Sequence, residues 1–433
     1  MESPLDESAA GLPERLTVVR GTFVCPHPNL RRLEVIPDGI LTTNDQGTIA
    51  GLEAAPTPCA TPVTRPGAVW LPGFVDTHIH YPQTRVMGRA TGPLLDWLAQ
   101  TIFPEEARFV ERAYAEAVAE EFCAALARWG TTTAAVYGSS DAGATDVLFE
   151  TFARRGLRGL MGMTFMDRGA PDGVLVPAEK ALAAAEDLVR RWHGFDGGRL
   201  RYCVTPRFAL SCSAPLMRGA ADLARRHDLW VQTHVAENTA EIAAVAERFP
   251  KAEDYLGVYT DHGLVGHQTL LAHCIWFDEP AWDRVAAAGC AVSHCPDSNF
   301  FLGSGQMALD APSRRGVRVG LGTDVGAGRS FSLRRVAAGA YDTALLTGSS
   351  ADAESLLWLA TAGGAQALGL GDRVGALRPG YEADLVAVDL PPHRAREGHE
   401  LFEALAFEQD AGPVAGTYVR GRRVSASITP DSA

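Results

Sequence analysis

The sequence predicts an α/β fold, a (β/α)8 TIM-like barrel with a small β-sandwich domain formed by both chain termini. The chain has 433 residues, of which 46% are hydrophobic and 21% are charged, a composition typical of soluble globular proteins. From Leu71 onward, short apolar or alternating segments recur between longer stretches of helical pattern, which is the alternation expected of a parallel α/β architecture. Eight such short segments can be counted, and eight parallel strands close into a barrel.

The eight predicted strands lie at 71–80, 131–138, 157–166, 200–208, 230–237, 269–277, 290–295 and 317–325. The stretch after the first strand predicts a helix that begins at Pro104, because proline is favoured in the first turn of a helix. Glu105 and Glu106 come next and suit the positive end of the helix dipole. Gly130 ends this helix, since glycine is the residue most often found just past a helix.

Both ends of the chain carry a different pattern. Segments rich in strand-forming residues at 16–23, 39–41 and 383–388 are separated by proline, glycine and other turn residues. Neither end is long enough for a hydrophobic core of its own, so one composite domain is predicted. We therefore expect a small β domain made of residues 1–69 and 376–433 beside a catalytic barrel domain at 70–375.

Composition and charge limit the partners. The formal net charge is −13 at pH 7, which argues against nucleic acid because phosphate binding needs clustered lysine and arginine. No apolar stretch is long enough to span a bilayer, and the acidic amino terminus lacks the pattern of a secretion signal. The eight cysteines never form a Cys-x-x-Cys pair, so neither a cysteine zinc site nor a redox motif is indicated. We expect a cytoplasmic protein that acts on a small molecule, with no membrane partner.

Five residues at strand ends are candidates for a metal site. His78 and His80 lie two residues apart in the first predicted strand, and side-chain alternation points both imidazoles to the same face. His234, His273 and Asp324 lie near the carboxyl ends of the fifth, sixth and eighth predicted strands, where barrel active sites are found. Any one of them could be an ordinary core residue, but their common position at one end of the strands favours a metal site.

The ligand types indicate the chemistry of that site. Nitrogen and carboxylate ligands without thiolate suit Zn2+ with an open position for water. Iron and manganese accept the same ligands, so the ligand types leave the identity of the metal open. A bound metal lowers the pKa of its water to about 7 and makes the water a nucleophile at neutral pH.

Glu237 follows His234 by three residues, at the end of the fifth predicted strand. Its carboxyl group could carry a proton to a ring nitrogen and then to a departing amine, as hydrolytic deamination requires. The other interpretation is an acidic residue that favours the start of the following helix.

Four motifs at the strand ends carry a family resemblance: PGFVDTHIH (72–80), THVAE (233–237), LAHC (271–274) and GTD (322–324). With them, the chain resembles the amidohydrolase superfamily over nearly its whole length. The segments HYPQ (80–83), LLDWL (94–98) with FP (103–104), and PRFAL (206–210) are more specific and resemble its metal-dependent deaminases that act on guanine. The resemblance implies a hydrolase for a C–N bond of a cyclic amidine, which converts guanine to xanthine and ammonia in purine catabolism.

The resemblance also implies a metal centre, with one zinc ion per subunit held by His78, His80, His234 and Asp324. His273 then polarises the attacking water or the ring, or it is a fifth ligand. The implied catalytic residues are Glu237, His273 and Asp324. The fourth predicted strand contains no lysine that could bridge two metals, which favours a mononuclear site.

The same resemblance places the purine against Gln83, Arg207, Phe208, His234, Glu237 and Asp324. The Gln83 amide offers both a donor and an acceptor to the edge of a base. Arg207 can donate to the exocyclic oxygen of guanine, where adenine carries an amino donor instead. Phe208 would stack on the ring, although an Arg-Phe pair after a strand is equally typical of a surface charge beside a core aromatic.

Two further residues are candidates for supporting roles. Trp97 is a candidate for the pocket wall, with ordinary packing as its other interpretation. His294 lies in HCP (294–296) at the end of the seventh predicted strand, close to Ser298 and Asn299. We expect His294 to position Asp324 or a loop rather than to bind metal.

Three alternative functions remain open from the sequence. The first keeps the chemistry and changes the substrate to 8-oxoguanine, cytosine, a nucleoside or an s-triazine. The second is a non-catalytic barrel scaffold that binds a protein partner, and the third is hydrolysis of a cyclic amide, which usually comes with a bridging lysine. Homodimers are common among relatives, so a homodimer is expected.

Overall fold

The computed structural model describes residues 12–391, 397–408 and 412–428. Its strands form a seven-stranded sheet and a nine-stranded sheet. The first four strands are β1 (Val18–Pro26), β2 (Leu33–Thr43), β3 (Ile49–Ala54) and β4 (Ala68–Pro72). The next nine are β5 (Phe74–His80), β6 (Thr131–Tyr137), β7 (Arg158–Gly162), β8 (Thr164–Phe165), β9 (Leu200–Pro206), β10 (Trp230–Val235), β11 (Thr269–His273), β12 (Ala291–His294) and β13 (Arg318–Leu321). The last three are β14 (Leu385–Asp389), β15 (Gly416–Val419) and β16 (Arg422–Arg423).

Sixteen α-helical segments occur in the same residues. They are α1 (Leu94–Trp97), α2 (Phe103–Glu106), α3 (Arg112–Arg128), α4 (Ala142–Arg155), α5 (Ala178–Trp192), α6 (Phe195–Gly198), α7 (Ala214–His227), α8 (Thr239–Arg248), α9 (Tyr255–Asp261), α10 (Glu279–Ala288), α11 (Pro296–Phe301), α12 (Asp310–Ser313), α13 (Leu333–Thr347), α14 (Ala353–Trp358), α15 (Gly364–Ala367) and α16 (Gly398–Phe407). Within the described part of the chain, none of them combines the length and the apolar character needed to cross a bilayer. The cytoplasmic location stays a prediction.

The seven-stranded sheet has the order β16-β15-β14-β4-β1-β2-β3. Its strand β4 pairs in parallel with β1 and antiparallel with β14, so strands from both ends of the chain share one sheet. Trp70 of β4 is fully buried and belongs to a core with Phe23, Leu385 and Tyr418. This confirms the small β domain assembled from both termini. The bounds predicted for the domains stay a prediction.

The nine-stranded sheet is the barrel. Its strands pair in parallel along the order β5-β6-β7-β9-β10-β11-β12-β13, with β8 beside β9. Beyond β13, the Asp324 amide donates to the His78 carbonyl at 2.8 Å, and the His80 amide donates to the Val325 carbonyl at 3.1 Å. These bonds join the last strand to the first, and the (β/α)8 barrel predicted from the sequence is confirmed.

The prediction of one continuous strand at 71–80 is wrong, because this segment belongs to two strands, β4 and β5, that lie in different sheets. The break is at Gly73, whose amide donates to the Asp384 carbonyl of the terminal sheet, while the Phe74 amide donates to the Gly130 carbonyl beside the barrel. A Cβ at position 73 would lie 2.1 Å from the Thr132 side chain. The chain therefore passes from one sheet to the other at a residue that has no room for a side chain.

The predicted helix from Pro104 to Gly130 is also wrong in its continuity. The chain forms α2, a 3-10 turn at Ala107–Val110, and then α3. Between the last two, Glu111 has φ −83° and ψ 107°, which is extended backbone that a helix does not include. Because of this break, α2 is free to lie at the barrel mouth and bury Glu106 there.

A buried ion pair joins the barrel to the terminal sheet. Arg158 of β7 has a fully buried side chain. Its Nε donates to Oδ2 of Asp384 at 3.1 Å, and its Nη2 donates to Oε2 of Glu382 at 2.6 Å. Removing one partner of a buried ion pair costs about 3–5 kcal/mol, so this contact holds the two sheets in a fixed relation.

Candidate metal centre and base pocket

Four side chains able to hold a metal ion converge at the carboxyl end of the barrel strands. His78 and His80 lie in β5, His234 lies in β10, and Asp324 follows β13. One ligand atom from each lies within 4.8 Å of all the others, and all four residues are buried. Oδ1 of Asp324 is 3.2 Å from Nε2 of His78 and 3.3 Å from Nε2 of His80. The structure thus brings together the four residues that the sequence predicts as ligands.

Asp76 ties together the two chain segments that carry three of these four residues. Its Oδ1 accepts from the His78 amide at 3.1 Å and from the Thr323 amide at 3.0 Å, and its Oδ2 accepts from the Thr323 hydroxyl. At Gly322, an added Cβ would lie 2.7 Å from the Cβ of His78. The Asp76 carboxylate and the absence of a side chain at Gly322 together hold Asp324 against β5.

His234 is oriented by a backbone acceptor. Its Nδ1 lies 2.6 Å from the Arg207 carbonyl oxygen, so Nδ1 donates there and Nε2 points toward the other histidines. That Nε2 is 3.2 Å from Nε2 of His80. The carbonyl of His234 in turn accepts from the Tyr259 hydroxyl at 2.6 Å. Outer partners of this kind fix the tautomer and the ring orientation of a metal ligand.

Burial and mutual contact set the protonation states of the four residues. Burial lowers the pKa of His80 to about 3 and also lowers the pKa of His78 and of His234. Burial raises the pKa of Asp324, but the adjacent imidazoles of His78 and His80 outweigh it and hold that pKa well below its usual value. The result is three neutral imidazoles and one carboxylate, which are the states that bind a divalent cation. This donor set fits Zn2+.

His273 stands beside these four residues. Its Nδ1 is 3.0 Å from Oδ1 of Asn299, and its Nε2 is 3.5 Å from Glu237 and 3.8 Å from Asp324. The backbone φ is +74° at His273 and +47° at Asp324. Both values lie in the left-handed region, which non-glycine residues enter at an energetic cost and which is enriched at functional sites. These two turns at the strand ends aim both side chains at the barrel mouth.

Two buried carboxyl groups, Glu237 and Glu241, form the adjoining wall. Burial and, to a smaller extent, the charge of Asp324 raise the pKa of Glu237 to about 8. Burial likewise raises the pKa of Glu241 to about 7. Ser304 donates to Glu237 at 3.3 Å, and the Tyr255 hydroxyl donates to Glu241 at 2.6 Å. A carboxyl group with such a pKa holds a proton near neutral pH and is able to donate it.

A cavity opens onto three of the four potential ligands, His80, His234 and Asp324. Its walls are formed by His80, Gln83, Leu94, Trp97, Leu98, Arg207, Phe208, His234, Glu237, Glu241, Leu302 and Asp324. Gln83, Arg207 and Phe208, which are predicted to recognise a base, therefore line the same cavity as Glu237 and Asp324. Trp97, a candidate for the pocket wall, also lines the cavity.

Three buried acidic residues of the site escaped the sequence analysis. Asp76 lies in the PGFVDTHIH motif, but the sequence gives this residue no role. Glu241 had a signal, because Asn238 followed three residues later by a glutamate is a capping-box pattern, and both of its bonds are present. No sequence signal marks Glu106 as a site residue, because it stands with Glu105 at the predicted start of a helix. In the structure, its carboxylate lies 2.7 Å from the Arg207 guanidinium.

The predicted role of His294 is not supported. Within the described residues, neither of its ring nitrogens has a hydrogen-bond partner, so it does not position Asp324 through a hydrogen bond. The positioning contact in this region belongs to Asn299, which accepts from His273. Both residues come from the same short motif, and the sequence does not show which of the two faces the site.

A model of the amidohydrolase family matches residues 69–424. The chain belongs to this family. Among its relatives in the family, the guanine deaminase of Escherichia coli (strain K12) is 39% identical over 368 residues, which cover 83% of each chain. A probable guanine deaminase of Deinococcus radiodurans is 42% identical over 390 residues, which cover 87% of each chain.

Solved structures of deaminases share the fold over nearly the whole chain. The E. coli guanine deaminase has a TM-score of 0.89 and 36% identity, covering 94% of this chain and 99% of that one. A guanine deaminase from C. acetobutylicum with bound guanine in the active site has a TM-score of 0.86 and 27% identity, with the same coverage. An adenosine deaminase from Xanthomonas campestris with bound zinc has a TM-score of 0.85 and 26% identity, covering 97% of this chain and 96% of that one.

The hydrogen bonds of Asp76 predict an effect on metal binding. In Asp76→Asn the side chain keeps its shape, but an amide nitrogen replaces an oxygen that accepts from Thr323, so Asp324 is held less firmly. We expect the affinity for Zn2+ to fall about 10- to 100-fold. The measurement is competition between the metal-free protein and a zinc-binding dye.

A matched control is Thr151→Val, which removes a buried hydroxyl that donates to the Val147 carbonyl within α4, away from the four potential ligands. This control should bind Zn2+ as tightly as the unmodified protein. Equal zinc affinity in Asp76→Asn and the unmodified protein would show that Asp76 does not position the ligands.

Proposed function

We propose that this chain catalyses the hydrolytic deamination of guanine to xanthine and ammonia, with one zinc ion per subunit. The observation that carries the proposal is that one cavity is lined by three of the four potential ligands, His80, His234 and Asp324, together with the protonatable Glu237 and the side chains Gln83 and Arg207. The fourth potential ligand, His78, converges with the other three. Similarity to guanine deaminases over more than four fifths of both chains supports the same substrate. A guanine deaminase of the same fold contains guanine in its active site.

The proposed metal ligands are His78, His80, His234 and Asp324. A divalent ion bound there supplies a water molecule of lowered pKa as the nucleophile. The 26%-identical adenosine deaminase that contains zinc supports this choice of metal. His273 is proposed as a polarising residue and not as a fifth ligand, because its Nε2 lies nearest to Glu237, at 3.5 Å.

Glu237 is the proposed acid and base. Because burial raises its pKa to about 8, Glu237 carries a proton near neutral pH and can donate it to the ring nitrogen next to the amino-bearing carbon. Asp324 accepts a proton from the attacking water. Water adds to the carbon, and the remaining hydroxyl proton of the adduct passes through Glu237 to the amino group, which leaves as ammonia. The proton that Asp324 accepted then returns to Glu237, so one guanine and one water yield one xanthine and one ammonia.

Arg207, Gln83 and Phe208 are the proposed recognition residues for the base. Arg207 offers only donors, so it favours the exocyclic oxygen of guanine over the amino group that adenine carries at the same position. The apolar wall that includes Phe208 and Trp97 suits the faces of a flat ring. A homodimer stays a prediction.

The proposed substrate predicts the outcome of a substrate panel. With zinc bound, the protein should release ammonia from guanine with a higher kcat/KM than from adenine, cytosine, 8-oxoguanine or an amino-substituted s-triazine. Treatment with a chelator should abolish the activity, and added Zn2+ should restore it. Ammonia release is measured under steady-state conditions.

A higher kcat/KM for another compound of the panel would support hydrolytic deamination but contradict guanine as the preferred substrate. Absence of turnover on every member, in protein that contains no stoichiometric zinc, would favour a non-catalytic scaffold instead.

The proposed role of Glu237 predicts a variant that keeps the metal and loses turnover. In Glu237→Gln the carboxyl group that donates the proton is gone, while the four ligands are untouched. We expect kcat for guanine to fall about 10²- to 10⁴-fold with zinc content unchanged. Glu247→Gln, in the same segment of chain but exposed on α8, serves as the control and should retain full activity. A kcat close to that of the unmodified protein in Glu237→Gln would contradict the role.

A further inference from the structure

Glu106 joins the two polar side chains that are proposed to recognise the base. Nη1 of Arg207 donates to Oε1 of Glu106 at 2.9 Å and to Oε2 at 2.7 Å. Nε2 of Gln83 donates to the same Oε1 at 3.3 Å. The side chains of Arg207 and Glu106 are each only 4% exposed. A single buried carboxylate thus holds both side chains.

The contacts leave defined groups free for a ligand. Arg207 uses Nη1 for Glu106, and its Nε and Nη2 have no acceptor among the residues that the structure describes. Gln83 accepts from the Gly326 amide at 3.0 Å through Oε1, which fixes which end of its amide faces Glu106. Gly326 follows Asp324 by two residues, so this hydrogen bond also connects Gln83 to the segment that carries the potential metal ligand Asp324.

Helix α2 provides two residues beside Arg207. It contributes Glu106, and it also contributes Phe103, whose ring centroid lies 5.4 Å from the central carbon of the Arg207 guanidinium. Arg207 and Gln83 line the cavity, whereas Glu106 is absent from its walls. Glu106 therefore acts behind the residues that face a ligand.

The contact between Arg207 and Glu106 also sets the net charge at this end of the cavity. A buried guanidinium without a partner is costly and attracts an anion or water. The carboxylate of Glu106 balances the charge of Arg207, so this end of the cavity offers directed donors without a net charge. Such an environment suits a neutral base that presents an acceptor edge.

We infer that Glu106 is a positioning residue for substrate specificity, which holds Arg207 and Gln83 in the orientation that reads the oxygen-bearing edge of the purine. The inference rests on the proposed function, since it concerns how that same base is recognised. Glu106 itself does not touch the substrate.

The test compares Glu106→Gln with the unmodified zinc-loaded enzyme. The amide keeps the shape of the side chain but loses the charge and turns a donor toward Arg207 or Gln83. Since a hydrogen bond to a charged group is lost, KM for guanine should rise about 10- to 100-fold, with kcat changed by less than about threefold. The inhibition constant of 2-aminopurine, which lacks the exocyclic oxygen, should change by less than about threefold.

The neighbouring acid provides a matched control. Glu105 lies on the same helix and is buried, but it accepts from Tyr114 and Arg108 and does not line the cavity. Glu105→Gln should leave both KM and the inhibition constant within about twofold of the original values. If Glu105→Gln raises KM as much as Glu106→Gln does, the helix as a whole is responsible and the inference is overturned.

Two further outcomes keep the inference separate from the proposed function. If the unmodified enzyme deaminates guanine and Glu106→Gln keeps its KM, only the role of Glu106 fails. If the unmodified enzyme releases no ammonia from guanine, both fail. Should Glu106→Gln not fold, Glu106→Asp decides: it keeps the charge but draws it back by one methylene, and an unchanged KM in that variant overturns the inference.

Discussion

The molecule depends on one constraint, the convergence of three neutral imidazoles and one carboxylate at buried positions. Burial favours the neutral form of the histidines, and the histidines in turn favour the ionised form of Asp324. Barrel closure satisfies the constraint, since backbone hydrogen bonds between β5 and the segment after β13 bring Asp324 beside His78 and His80. The carboxylate of Asp76 then ties those same two segments together.

A second group of residues is arranged around that centre. Glu237 and Glu241 retain protons because they are buried close together. The guanidinium of Arg207 is held by the carboxylate of Glu106, which does not line the cavity. In the proposed mechanism Glu237 lines the cavity and donates the proton, whereas Glu106 lies behind the side chains that recognise the base. The terminal sheet contributes none of the residues that line the cavity, and its ion pair with Arg158 links it to the barrel.

Much of the fold follows from local pattern, because the alternation of short apolar segments and helical stretches reports directly on a barrel. The errors arose where tertiary contacts decide. Gly73 separates two strands because the chain changes sheets there. Pro72-Gly73 is a turn signal, but it does not show that the segments on its two sides belong to different sheets. Glu111 interrupts a helical pattern with extended backbone, so that α2 packs at the barrel mouth. For the site, the strand-end positions of His78, His80, His234 and Asp324 are visible in the sequence, whereas the burial of Glu106 depends on that unpredicted break. His294 and Asn299 show the same limit, since Asn299 accepts from His273 whereas the His294 ring has no hydrogen-bond partner among the described residues.

The central claim is that the four side chains bind one ion between them. X-ray diffraction from crystals of the zinc-loaded protein, collected on both sides of the zinc absorption edge, tests it most directly. A single anomalous peak is expected at a position within about 2.0–2.2 Å of Nε2 of His78, His80 and His234 and of a carboxylate oxygen of Asp324. A peak bound by other residues, or a pair of peaks bridged across the barrel mouth, would contradict it.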